Sequence, residues 1–406
     1  MTTIGVFSVK RIHQRGSELW TYGGFGLVIE SWLDRFDSVV LVAHEDSLPP
    51  GPQHYRIDHP RLRFIALPET PTELDFVLAL PAIISRISRA VREVDIVQAR
   101  MPDYTGVIAA FCADRAAVPC FAQVIADWRA EGRSMSWSRK WGLGTLLKIH
   151  YYLYTKFEEA ACRGRLSFVQ GKTAFDRIND GSNTKLTVST AHKDKDIRTA
   201  HPRFFETPWT ILTVARLVSI KNQQILLHSL RELRISGRNF HLQLVGSGPQ
   251  EVALKRLSIE LGIAKHVNFV GGVQHGKELW EFFDQADVFV LPSLSEGTPK
   301  VVLEAMARGL PVIATEVGGI PSVVQHMQNG LLIPPADKSA LESTLIQIAD
   351  DTALRESLVR GGTETSRQHT IECESERAIR MIHTYWPSLK IVHTANKTRS
   401  SEVRAT

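Results

Sequence analysis

The feature that most constrains this chain is an alternation: short runs rich in β-branched and aromatic residues recur between longer stretches of helical composition. In the second half the runs WTILTVAR, HLQLVG, VNFVG, DVFVLPS, PVIAT and GLLIPP alternate with helical segments at 222–236, 249–262, 276–285, 299–309 and 339–350. That order predicts an α/β fold with a doubly wound parallel sheet, in which ligands bind outside the carboxyl ends of the strands. The first half opens the same pattern with IGVFSV, SVVLVAH and RFIALP. Between the halves, RTAHPRFFETPW at 198–209 has two prolines and no periodicity, as a linker would. A chain of 406 residues has room for two cores of ordinary size.

Composition excludes several other classes. The start, MTTIGVFSVKR, lacks the basic region and apolar stretch of a secretory signal, so export is not expected. FVLALPAII at 76–84 and WGLGTLLKIHYYLY at 141–154 are shorter than a membrane span requires, and Lys148 interrupts the second. Cys112, Cys120, Cys162 and Cys373 show no paired spacing and read as reduced thiols. The net charge of +5 is local, because residues 129–165 hold eight Lys or Arg against three Glu. With Trp137, Trp141, Tyr151, Tyr152 and Tyr154 among them, these residues suit the surface of an anionic membrane, the alternative being a helix with a solvated basic face. No nucleic-acid-binding module is recognised.

The segment ADVFVLPSLSEGTPKVVLEAMARGLPVIAT, 286–315, carries the most chemistry: a strand, a loop, a helix stopped by Gly309, and a second strand. Glu296 lies in the loop and Glu304 in the helix. Glu304 is set among Val301, Val302, Leu303, Ala305 and Met306, where a buried carboxylate needs a partner that a hydroxyl-rich ligand could supply. The backbone amides from Thr298 to Val302 form an anion site at the helix start, suited to a diphosphate. The plain alternative is a solvated Glu296 and a Glu304 paired with Arg308 one turn on.

SEGTPKVVLEAMARGLPVIATEVGGIPSVV, continued by NGLLIPPAD, resembles the nucleotide-sugar motif of glycosyltransferase family 4. TVARLVSIKNQQILLHSL, LQLVGSGPQ and HVNFVGGV resemble that family's other ordered segments, so the agreement covers about residues 209–350. The resemblance implies a GT-B fold: two facing Rossmann-like domains with an interdomain cleft. The expected layout is an acceptor-binding domain at 1–205, a donor-binding domain at 206–375, a helix at 376–390 crossing back to the first domain, and a disordered tail at 391–406. It implies a retaining transfer from a UDP-, GDP- or ADP-type sugar to a saccharide or lipid-linked saccharide, in bacterial envelope or exopolysaccharide biosynthesis. The setting would be cytoplasmic, at the inner face of the membrane, without cofactor or catalytic metal.

Carried over residue by residue, the resemblance gives Arg216 and Lys221 the donor diphosphate, Glu296 the transferred sugar and Glu304 the ribose hydroxyls. Gly246 and Gly248 would let the backbone approach the nucleotide, and Val270 and Gly271 would line the base. Gly297, Thr298, Pro299, Lys300, Val301 and Val302 complete the donor set. In the first domain TYGGFG resembles the family's glycine loop after the first strand, with Gly23 and Gly24 near the donor phosphates. Where the family often places a His by the reacting carbon, QVIADWRAE has Asp127. STAHKDKDI stands where many members have Asn-Gly-Val-Asp, putting His192 and Asp194 in that region, and Asn222 replaces the usual Gly after Lys221.

Other motifs fail. VGSGPQE has Glu251 where a dinucleotide fingerprint needs its third glycine, and Gly171, Lys172 and Thr173 lack the P-loop glycine because position 166 is Leu166. No HExxH or comparable metal-ligand spacing occurs. Two rivals stay open, a GT-B nucleotide-sugar epimerase or phosphorylase and a non-catalytic scaffold of the same fold.

Overall fold

The computed structural model describes residues 1–8, 10–16, 18–51, 54–70, 72–126, 143–181, 183–198, 208–297 and 299–391. The chain divides into two compact units. One comprises Met1–Val169, Ala174–Thr187 and the residues from Glu372 onward, the other Gln170–Thr173 and Val188–Ile371.

The first unit contains β1 (Thr3–Phe7), β2 (Ile12–Arg15), β3 (Glu18–Tyr22), β4 (Ser38–His44), β5 (His54–Ile57), β6 (Leu62–Leu67), β7 (Ile96–Met101), β8 (Cys120–Val124), β9 (Ser167–Gln170) and β10 (Thr184–Thr187). Its main sheet has the order β10-β9-β8-β7-β1-β4-β6, and the pairings from β6 across to β9 are parallel. A small antiparallel sheet, β2-β3-β5, is an addition that the strand runs of the sequence do not predict. It corrects one expectation: the glycines of TYGGFG follow β3, not the first strand.

The last helix, Ile371–Tyr385, belongs to this unit. Ile379 and Ile382 are fully buried in the cluster that holds Ile4, Val6 and Trp32, and Arg35 pairs with Glu376 at 2.8 Å.

The second unit contains β11 (Trp209–Val214), β12 (Phe240–Val245), β13 (Val267–Gly271), β14 (Val288–Leu291), β15 (Val312–Thr315) and β16 (Leu331–Ile333). They form one parallel sheet of order β13-β12-β11-β14-β15-β16. β14 and β15, reading VFVL and VIAT, are buried at every position, because apolar clusters pack against both faces of the sheet. The chain steps outward from β11 through β12 to β13, then returns to the other side of β11 at β14. The order therefore reverses between β11 and β14, and this is the topological switch point where such sheets bind ligands.

Five helices lie where the periodicity predicts them: Gln223–Ile235, Glu251–Glu260, Lys277–Gln285, Lys300–Ala307 and Lys338–Asp350. A sixth, Thr352–Gln368, starts at Asp351, whose side chain accepts from Leu354 N–H. Unit boundaries differ from the 205/206 and 375/376 divisions read from sequence. Val188 packs on the second unit's core, and Ile371 N–H donates to the His192 carbonyl at 3.0 Å, so residues from 188 onward join the second unit.

Candidate functional site

The loops leaving β11 and β14 flank the switch point and are stitched to each other. Leu294 N–H donates to the Ile220 carbonyl at 2.8 Å. Lys221 Nζ donates to Glu296 Oε1 at 2.5 Å, and Ser293 Oγ donates to the same oxygen at 2.6 Å. Only 8% of the Glu296 side chain is exposed, so it is no solvated loop residue, and among the described residues its Oε2 takes no hydrogen bond. Arg216 is exposed near the start of the β11 loop. Asn222 joins the turn Ser219–Lys221 to the next helix with φ of 53°, a left-handed conformation that Asn tolerates better than most residues. The replacement of Gly here is thus conformationally compatible.

Glycines set the closeness of these loops. Gly246 has φ of 134°, and a Cβ there would overlap the Ala215 carbonyl; one on Gly248 would overlap that of Leu217. Leu217 N–H donates to Ser247 O at 2.9 Å, so both glycines let the β12 loop lie directly against the loop bearing Arg216. Gly318, which the motif reading passes over, plays the same part for Glu296: its φ is 55°, a Cβ would overlap the Glu296 carbonyl, and Gly319 N–H donates to Gly297 O at 2.9 Å. Val270 packs partly buried on the core, and Gly271, with φ of 84° and open space beside it, accepts from Gly246 N–H.

Glu304 is buried on the helix Lys300–Ala307. Its Oε1 lies 3.2 Å from His275 Nε2, and the His275 ring meets Trp280 edge-on at 5.1 Å. Burial pushes the Glu304 carboxyl up, but the His275 hydrogen bond and the charges of His275, His192 and Lys300 outweigh it and hold the group below the usual carboxylate range. The pairing of Glu304 with Arg308 does not occur. Arg308 is the helix C-cap, and its guanidinium grips Asp284 at 2.9 and 2.5 Å and the Asp196 carbonyl at 2.7 Å. His275 lies 29 residues away in sequence and carries no motif, which is why sequence reading misses it.

The helix start offers fewer amides than expected. Pro299 is the N-cap and has no N–H, while Val302 N–H is bonded to the Pro299 carbonyl at 3.2 Å. The expected anion site is therefore reduced at Pro299 and Val302; Thr298 lies outside the described residues, and Gly297 is exposed.

His192 is a packing residue. It is fully buried, with Nδ1 2.9 Å from Thr190 Oγ1 and Nε2 2.9 Å from the Ser366 carbonyl, and burial pushes its pKa below the ordinary value. With Nε2–H donating to that carbonyl, both ring nitrogens are engaged inside the protein. Asp194 is exposed beside it.

In the first unit Gly23 has φ of 59° with nothing close to a Cβ, and Gly24 caps the helix Phe25–Leu33. Asp127 lies outside the described residues, as do residues 129–142 of the basic segment with Trp137 and Trp141. The rest of that segment includes the helix Leu143–Cys162. On it Tyr152 is exposed, but Tyr154 is buried against Tyr104 at 5.0 Å and belongs to the core, not to a basic surface. Among the described residues no helix is long and apolar enough to cross a membrane, and no group of three or more His, Cys, Asp or Glu could hold a metal ion.

The whole chain has the GT-B α/β fold, built of two Rossmann-like parallel-sheet domains. Sucrose-phosphate synthase from Thermosynechococcus elongatus matches it with a TM-score of 0.73 over 96% of this chain and 100% of that one, at 19% identity. Anabaena Alr3699/HepE in complex with UDP matches with a TM-score of 0.68 over 96% and 100%, at 15% identity.

The site narrows the likeness further. Residues 194–365, which hold every switch-point side chain described above, match the family of glycosyl transferases group 1. The amylovoran biosynthesis glycosyltransferase AmsK of Erwinia amylovora is 35% identical over 148 residues, which is 35% of this chain and 36% of that protein. The match to this curated relative thus spans about a third of its length.

Proposed function

We propose that this chain is a retaining glycosyltransferase of family 4 that moves a sugar from a UDP-, GDP- or ADP-type donor to a saccharide or lipid-linked saccharide. The observation that carries the proposal is the Lys221–Glu296 pair at the switch point, 2.5 Å long and held by Ser293. It sets a fixed cation and a carboxylate with one open oxygen side by side, where a sugar diphosphate needs both.

In this reading Arg216, Lys221 and the Val301 amide at the helix start hold the diphosphate and stabilise its growing charge. Glu296 faces the transferred sugar, and its carboxylate stabilises positive charge at the anomeric carbon. The bond from that carbon to the phosphate oxygen breaks, the acceptor hydroxyl oxygen bonds on the same face, and its proton passes to the departing phosphate. The fixed cations supply the charge stabilisation in place of a metal.

The matched family and the name of AmsK support transfer in polysaccharide biosynthesis, and this reading places it on the cytoplasmic side of the membrane. Basic residues among 129–165 would hold the protein to that surface.

Glu296→Gln tests the role of the carboxylate. The variant should bind nucleotide as the wild type does and lose at least about 100-fold in transfer. Turnover at the wild-type rate would remove Glu296 from the chemistry, and a product formed without acceptor would favour the epimerase or phosphorylase reading.

A further inference from the structure

We infer that His275 is the positioning residue that makes Glu304 a selective receptor for a ribose diol. The inference rests on the assignment of Glu304 to the nucleotide's ribose. Glu304 is buried among apolar neighbours on a short helix, and a carboxylate so placed has little to hold its plane. Among the described residues its one hydrogen-bond partner is His275, at 3.2 Å on Oε1. Oε2 takes none and is left for a ligand.

The histidine is itself held. Its side chain is 10% exposed, and its ring meets Trp280 at 5.1 Å with planes 76° apart, so rotation of the imidazole would break packing with a buried indole. Trp280 sits on the helix Lys277–Gln285, which packs its Leu279 and Phe283 into the same core as the Glu304 helix. The order of support thus runs from core to Trp280, to His275, to Glu304, and each link fixes the orientation of the next.

The consequence is specific. With Oε1 occupied by the Nε2–H of His275, the carboxylate cannot turn to solvate both oxygens equally. It presents Oε2 along one direction, and a vicinal pair of hydroxyls can both donate to that oxygen, one to each of its lone pairs. A nucleotide without those hydroxyls would leave a buried carboxylate without compensation, which is how such sites reject analogues. His275 therefore acts on discrimination between ribose and a sugar lacking the diol, and not on the diphosphate, which other groups hold.

The test compares UDP, GDP and ADP, each with its 2′,3′-dideoxy counterpart, by calorimetric titration of the wild type, His275→Phe and His275→Gln. Phenylalanine keeps the aromatic contact with Trp280 and removes the donor; glutamine restores an N–H. The wild type should prefer the ribonucleotide by about tenfold or more. His275→Phe should lose most of that preference by weakening the ribonucleotide alone, and His275→Gln should recover much of it. If His275→Phe keeps the preference, or weakens both nucleotides equally, His275 has no positioning role while the ribose assignment of Glu304 stands. If the wild type binds nucleotide with no preference, the ribose assignment fails and this inference with it.

Discussion

Glu296 and Glu304 are held in the same manner: each is tied through Oε1 to a protein donor and keeps Oε2 open among the described residues. Carboxylates anchored on one side are oriented before a ligand arrives, and this lowers the ordering cost on binding. His192, close enough for Glu304 to influence its charge, has the opposite character, with both nitrogens satisfied internally. Burial lowers its folded pKa, so the unfolded chain binds more protons between that lowered value and the unfolded value near 6.5. Stability from this residue is fully present above about pH 6.5 and is lost as pH falls through the folded pKa. Thermal unfolding should therefore occur at lower temperature at about pH 5.5 than at about pH 7.5. His192→Gln should narrow the gap without closing it, because burial also lowers His44 and His54. An unchanged gap would show that His192 does not titrate in this range.

At the scale of elements, the site is a product of loop packing. Gly318 touches no ligand in this account, yet it decides where Glu296 stands, because any side chain there meets the Glu296 carbonyl from a left-handed backbone. Gly318→Ala should cost about 2–3 kcal/mol, seen as a lower Tm, and should reduce transfer more than nucleotide binding. Wild-type stability and turnover would mean that the loop yields easily. The strands of the second unit were legible in sequence because parallel strands covered on both faces read as unbroken apolar runs such as VFVL. The β2-β3-β5 sheet was not, since its strands are only four or five residues long and mixed in polarity, as in IHQR and HYRI. Arg308 misled for a related reason: spacing places it one turn from Glu304, but at the end of an eight-residue helix its side chain leaves the helix for Asp284.

On the scale of the whole molecule, the switch point gathers residues far apart in sequence because the sheet brings the β11 and β14 loops together. Lys221 and Glu296, 75 positions apart, meet for that reason. The motif resemblance assigned both to one donor site, but their direct pairing was not legible, as nothing in local composition links them. The partner of Glu304 was not legible at all, since it depends on the β13 loop reaching the helix after β14. The acceptor side is the least determined by sequence. The first unit shares the α/β plan, while Asp127 falls outside the described residues and His192 turns out to be a core histidine. Binding of a nucleoside diphosphate at the switch point of the second unit is read by calorimetric titration of UDP, GDP and ADP into the full chain. One of them should bind saturably, with affinity weakened about tenfold or more by Lys221→Ala and by Glu304→Ala. Binding of none, or equal binding by the wild type and both variants, would contradict a nucleotide site at the switch point.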